Sequence, residues 1–300
     1  MNRVAQHPVK AFAVTLAAVA SLSIMDAVMK HLVIAIGIFA VSIWRSFANV
    51  AFASALYLPR RLPRPSRTTL NIHVARGALV TVMAFLFFWG IGRVPLAQGI
   101  ALTFIAPLIA LLLASLLLDE KIGSRSIGGS VAAFAGVIVI VFGQAHARLG
   151  SDVLLGSAAI LASALCYAGN IVMMRHQALA ARPLEINFFQ SLTVMLLWFA
   201  ALPFVGLPSW PGGQWPWIVV AASLSTLGTL LYGWAYARGE ASYLSVTEYS
   251  AFLWAAALGW IVFSERVSPY TLGGAVLIVA GCVAAARRKG AELPEIDVAA

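Results

Sequence analysis

Residues able to do chemistry are sparse in this chain, and they recur at helical spacings inside apolar runs. Thr103, Pro107, Ala110 and Ala114 fall at i, i+4, i+7 and i+11, on one face of a helix. Pro107 supplies no N–H, which frees the carbonyl four residues upstream at Thr103. A polar solute or a water could satisfy that carbonyl, or the site is a packing kink. Glu248 and Phe252 sit at i and i+4 in another run. A carboxylate in hydrocarbon must face a cavity, meet a partner or hold a proton. Glu248 could therefore bind a solute's amino group, take a coupling proton, or reach the nearby interface. Tyr167 and Asn170 share a face with Ser163, and Tyr232 shares one with Thr229 and Tyr236. A tyrosine facing a bundle centre offers an apolar plate with a polar tip, suited to an aromatic or aliphatic side chain. Core packing with an interhelical hydrogen bond is the alternative. Met25 lies on a face with Leu22 and Met29, which reads as core or as the wall of an adaptable pocket.

Charged residues inside the runs are fewer still. Arg45 lies deep in one, where it must be paired or snorkel. Asp26 precedes Lys30 by one turn, the spacing of a surface ion pair. Glu120-Lys121 and Glu265-Arg266 end two runs, as interfacial ion pairs or as symmetric gates that break in turn. Cys166 and Cys282 fall within apolar runs and read as small hydrophobes. The five histidines lie at or near loops, so no metal cluster is readable. The sequence has neither a G-x-x-x-x-G-K-[ST] loop for ATP nor H-E-x-x-H for a zinc protease. No cofactor is expected.

The elements that must position these residues follow from composition. The chain has 300 residues, 61% hydrophobic and 10% charged, with mean hydropathy +0.91. Water cannot solvate so apolar a surface, so lipid is the solvent for most of it. At ~20 residues per span there is room for about ten helices. The spans read as 10–31, 37–58, 72–92, 96–118, 127–144, 153–174, 184–204, 215–237, 242–263 and 270–287. The first lacks an A-x-A site beyond it and should be retained. Trp210, Trp215 and Trp217 read as an interfacial belt. With the N-terminus inside, loops and span ends hold fifteen Lys and Arg inside against four outside. That count places both termini in the cytoplasm. It also explains the net charge of +9 without nucleic acid, for which no solvated basic face exists.

A shift of 145 residues superposes the two halves. Met29-Lys30 falls on Met174-Arg175, Trp89 on Trp234, Arg93 on Arg238, Glu120-Lys121 on Glu265-Arg266, and Gly128-Gly129 on Gly273-Gly274. Each half holds five spans, an odd number, so the second must enter from the opposite side. Two inverted repeats, 1–147 and 148–289, then precede a polar tail at 290–300. Gly128, Ala132 and Gly136 predict a close seam between spans five and ten.

The segment Ala101-Leu-Thr-Phe-Ile-Ala-Pro-Leu-Ile-Ala through Glu120-Lys121, followed by Gly128-Gly129 and Ala135-Gly136-Val137, resembles the EamA repeat of the drug/metabolite transporter superfamily. Pro107 and Glu120 match its proline-to-glutamate spacing, and the second copy runs from Glu248 to Glu265-Arg266 with Phe252 in place of the proline. The resemblance implies an all-α polytopic protein of ten helices in two inverted five-helix repeats around a central cavity, with no ATP site. It is closest to bacterial exporters of aromatic and other neutral amino acids, which implies the inner membrane and a small-molecule substrate. On that reading the substrate contacts are Met25, Thr103, Pro107, Tyr167, Asn170, Tyr232, Glu248 and Phe252, with Glu120, Lys121, Glu265 and Arg266 as gates. A broad exporter of drugs or cationic compounds is the runner-up. An intramembrane enzyme would need a His, Asp or Ser cluster at one interface, which the sequence lacks. The chain is read as monomeric.

Overall fold

A computed structural model describes residues 8–60, 65–106, 108–109, 124–146, 150–236 and 245–286. Among these the regular structure is helical throughout. Ten helices follow in order: α1 Pro8–Ile36, α2 Ile38–Tyr57, α3 Arg67–Ile91, α4 Leu96–Thr103, α5 Ser124–His146, α6 Ser151–Ala180, α7 Pro183–Val205, α8 Trp215–Tyr236, α9 Ser250–Phe263 and α10 Pro269–Ala286. Six helical stretches among the described residues are long and apolar enough to cross a membrane. They lie in α1, α2, α3, α6, α7 and α8, and α5, α9 and α10 contribute shorter apolar stretches.

Two of the expected spans differ in detail. Helix α4 ends in a turn at Phe104 and Ile105, and most of the remainder of span 96–118 lies outside the described residues. That turn falls just ahead of Pro107, where a proline ring crowds the preceding helical turn. Span 242–263 becomes a 3-10 turn, Ser245–Tyr249, followed by α9. Glu248 is therefore in the 3-10 turn and not within the α-helix.

Large apolar side chains point outward over much of the surface: Phe204, Leu207, Trp260 and Ile261 are all mostly exposed. In water such a patch would aggregate; in lipid it is the solvated face. Inside, Met29, Leu32, Ile91, Leu96, Leu102 and Ile160 are buried in one shared core.

The helices pair in a pattern that maps onto itself. α1 packs on α8, α3 on α6, α2 on α7, α4 on α9 and α5 on α10. Exchange each helix with the one five places along, and the same five partnerships return. The α5–α10 contact repeats the rule at residue level. A Cβ at Gly136 would lie 2.6 Å from the Gly274 carbonyl oxygen, and one at Gly281 would lie 2.5 Å from that of Gly129. A shift of 145 carries Gly129 to Gly274 and Gly136 to Gly281, so these two contacts are images of each other. The pairing order is antiparallel. The seam also corrects the expected register. Gly128 and Gly273 have nothing near them, while Gly129, Ala133 and Gly136 face the partner. Neighbouring helical residues diverge by about 100°, so one position moves a residue off the seam.

Candidate functional site

Buried polar groups gather at two opposite ends of the bundle. The first end lies where α1 finishes and α4 begins. Lys30, only 3% exposed, forms an ion pair with Glu265 and donates to the Val94 carbonyl at 2.6 Å. The other carboxylate oxygen of Glu265 accepts the Leu96 N–H at 2.7 Å. Leu96 opens α4 behind Pro95, which offers no capping side chain, so Glu265 satisfies an orphan amide at the positive end of the helix. Glu265 is placed by the end of α9. Ser264 adopts a left-handed conformation, φ 56°, and the Glu265 N–H bonds the Gly259 carbonyl at 3.0 Å. The Lys30 ammonium also lies 5.1 Å from the Phe263 ring centroid.

This corrects the sequence reading of two charges. Lys30 turns to Glu265, 235 residues away, and not to Asp26. Asp26 has Arg45 as its electrostatic neighbour. Arg45 in turn stacks over Phe88 at 5.0 Å and approaches the Met25 sulfur at 3.5 Å. Arg266 is exposed and outside the pair. Glu120, Lys121 and Pro107 lie outside the described residues. Beside the pair, a cleft of about 200 Å³ opens between α4, α5, α9 and α10, lined by Gln98, Gly143, Ala255, Gly259, Glu265 and Thr271 among others.

At the second end, α3, α6 and α7 meet around a buried polar chain. Arg76 donates from Nε to the Asn170 Oδ1 at 2.8 Å and from a terminal nitrogen to the Gln177 Oε1. With that oxygen occupied, the Gln177 Nε2 donates to the His73 Nδ1 at 2.6 Å. The imidazole proton then sits on Nε2, 3.2 Å from the Glu185 Oε1, and is donated there. His73 and Gln177 are completely buried, and the His73 ring stacks on Phe189 at 5.2 Å. The sequence reading placed His73 near a loop and Arg76 at a span end. Both lie inside α3, on one face at i and i+3.

Tyr167 stands next to this chain. The outward face of α6 carries Leu154, Leu155, Ala158, Ala162 and Leu165. Tyr167 is about 200° around the helix from Leu165, among the buried positions, yet it is 39% exposed. Arg76 and Glu248 are both within electrostatic reach of it. Tyr167 lies one turn from Asn170, and Arg76, which the sequence reading did not single out, hydrogen-bonds Asn170. The signal for Arg76 was available: Asn170 and Gln177 recur at i and i+7 on α6, facing the His73 and Arg76 stripe of α3.

The remaining candidates are dispersed. The Thr103 hydroxyl donates to the Ile100 carbonyl at 2.7 Å. Met25 is buried in the core with Arg45 beside it, and Phe252 packs against the same core. Tyr232 is half-buried on α8. Trp44, Trp210 and Trp215 form a mutual aromatic cluster, and the Trp44 Nε1 donates to the Ser209 carbonyl at 2.9 Å.

Comparison with known proteins places these features in context. Residues 9–142 and 154–287 each match the model of the EamA-like transporter family. The chain is 25% identical over 229 residues to the pseudopaline exporter CntI of Pseudomonas aeruginosa, covering 75% of this chain and 78% of that one. It is 25% identical over 288 residues to a riboflavin transporter of Vibrio cholerae, covering 91% and 92%. It is 27% identical over 253 residues to a probable terminal-alkyne amino-acid exporter of Streptantibioticus cattleyicolor, covering 80% and 81%. A crystal structure of a protein, 20% identical, superposes with a TM-score of 0.60 over 93% of this chain and 99% of that chain, which shows a shared fold.

Proposed function

We propose that this chain, which belongs to the EamA-like transporter family, exports amino acids, aromatic and other neutral ones, across a bacterial inner membrane by alternating access. The carrying observation is the buried Lys30–Glu265 ion pair, which also caps α4 and closes the Lys30 end of the bundle. A carrier closed toward one side of the membrane has this form. Self-mapping helix partnerships and the paired glycine contacts support two inverted five-helix repeats, 1–147 and 148–289, with both termini and the tail at 290–300 in the cytoplasm. On that orientation the Lys30 end is outside, and the conformation is closed outward.

Substrate contacts on this reading come from Tyr167, Asn170 and Glu248, with Met25, Thr103, Pro107, Tyr232 and Phe252 on neighbouring helices. Glu265 is the outer gate, with Lys30 as its partner. In the sequence the positions equivalent to Lys30 and Glu265 are Arg175 and Glu120. The amino-acid class draws support from the pseudopaline and terminal-alkyne amino-acid exporters among the relatives. Export of cationic compounds is the second reading, favoured by the Glu248 carboxylate.

Flux in proteoliposomes, with and without a pH gradient, tests the proposal. Radiolabelled phenylalanine and threonine should move, and nucleotide-sugars and cationic drugs should not. Movement of the drugs without the amino acids would replace the first reading by the second.

A further inference from the structure

We propose that Arg76 is the residue that binds the carboxylate of the transported solute, so that this site selects molecules bearing a carboxylate beside their apolar part. The proposal rests on the amino-acid export reading for the site's purpose, and on the geometry of Arg76 for its chemistry. A guanidinium is always charged, and one taken out of water normally meets an acid. Arg76 is 8% exposed, and among the described residues its hydrogen bonds go to two neutral amide oxygens, of Asn170 and Gln177. Among the described residues the acid–base contacts are the Lys30–Glu265 ion pair and the His73–Glu185 hydrogen bond, and neither includes Arg76.

The amides orient the cation without neutralising it. Asn170 holds Nε and Gln177 holds one terminal nitrogen, which leaves the other amino group of the fork without a partner among the described residues. Gln177 is itself fixed by His73, and His73 by Glu185 and by stacking on Phe189. Each link has its donor and acceptor assigned, so the guanidinium is set in one pose from behind. Preorganised, charged and short of an anion, it suits a planar carboxylate held by charge-assisted hydrogen bonds. Tyr167, 39% exposed and one turn from Asn170, supplies the surface on which the solute's apolar part rests.

The test is binding to the purified full chain in nanodiscs, read by thermal shift and tryptophan fluorescence, run beside proteoliposome flux. The probes are L-phenylalanine, 3-phenylpropionate and L-phenylalaninamide. Wild type should bind both carboxylates at least ~10-fold tighter than the amide, the range of a hydrogen bond to a charged group. Arg76→Gln should lose about that factor for the carboxylates and leave the amide unchanged, and Arg76→Lys should retain part of it. A wild type indifferent to the carboxylate overturns the proposal. So does an Arg76→Gln protein that binds all three probes as wild type does, or loses all three equally. If Arg76→Gln is not monodisperse, Arg76→Lys decides by the same carboxylate-to-amide ratio. Carboxylate binding that depends on Arg76 without flux would sink export and leave this site standing. Phenylalanine flux indifferent to Arg76 would do the reverse.

Discussion

The two ends of the bundle bury a cation in opposite ways. Lys30 meets a carboxylate that is also tied to the first amide of α4, so its charge is neutralised where it stands. Among the described residues Arg76 donates to amide oxygens, and the acid at the far end of its hydrogen-bonded chain, Glu185, is separated from it by Gln177 and His73. A paired charge is a fastener: separating it in a low-dielectric interior is costly, and what it joins stays joined. A charge held by amides is oriented but still attracts an anion. The family assignment makes this contrast useful, because a carrier needs both a closure and a place for its solute.

The largest effect should come from breaking the fastener. Glu265→Ala leaves Lys30 buried with a single carbonyl partner and strips the cap from α4. Removing one member of a buried pair typically costs about 3 kcal/mol. Thermal unfolding of the detergent-purified protein should show a clear fall in midpoint. The double variant Lys30→Met with Glu265→Leu should recover most of it, since no buried charge is then stranded. A Glu265→Ala protein as stable as wild type would mean that the pair fastens nothing.

A smaller effect is expected at the other end. His73→Leu leaves the Gln177 amide N–H and the Glu185 carboxylate without their partner, and removes the stack on Phe189. A stranded buried donor costs about 2 kcal/mol. If Arg76 is oriented through this chain, the carboxylate-to-amide binding ratio should also fall, with the amide's affinity retained. Loss of stability with an unchanged ratio would show that Gln177 keeps its place without His73.

Legibility from sequence was uneven for physical reasons. The helices were readable because lipid demands long apolar runs. The α5–α10 seam was missed by a single residue. Both Gly128-Gly129 and Gly273-Gly274 are glycine pairs, and only packing decides which member faces the partner. Tyr167 and Asn170 were found because they share a helical face. Lys30–Glu265 was not, because a pair 235 residues apart has no local periodicity to betray it. Arg76 was concealed by its place in the chain. A lone arginine near a span end is counted as a loop charge, and only the facing amides of α6 reveal that it points inward.

The smallest prediction concerns the turn that aims Glu265. Ser264 holds φ 56°, a conformation that places Cβ too close to the following carbonyl and costs a non-glycine residue about 1 kcal/mol. Ser264→Gly removes that clash, but glycine gives back part of the gain through the greater freedom of the unfolded chain. The net result should be a rise in thermal midpoint worth less than about 1 kcal/mol. Ser264→Val should move the midpoint the other way, because a β-branched side chain fits the left-handed region worst. Both variants keep the Lys30–Glu265 chemistry intact and touch only the backbone that delivers it. Opposite signs would therefore tie the closure of this end to the shape of one turn. A lower midpoint for Ser264→Gly would indicate that the left-handed turn is held by the serine itself, and that glycine loosens the aim of the carboxylate.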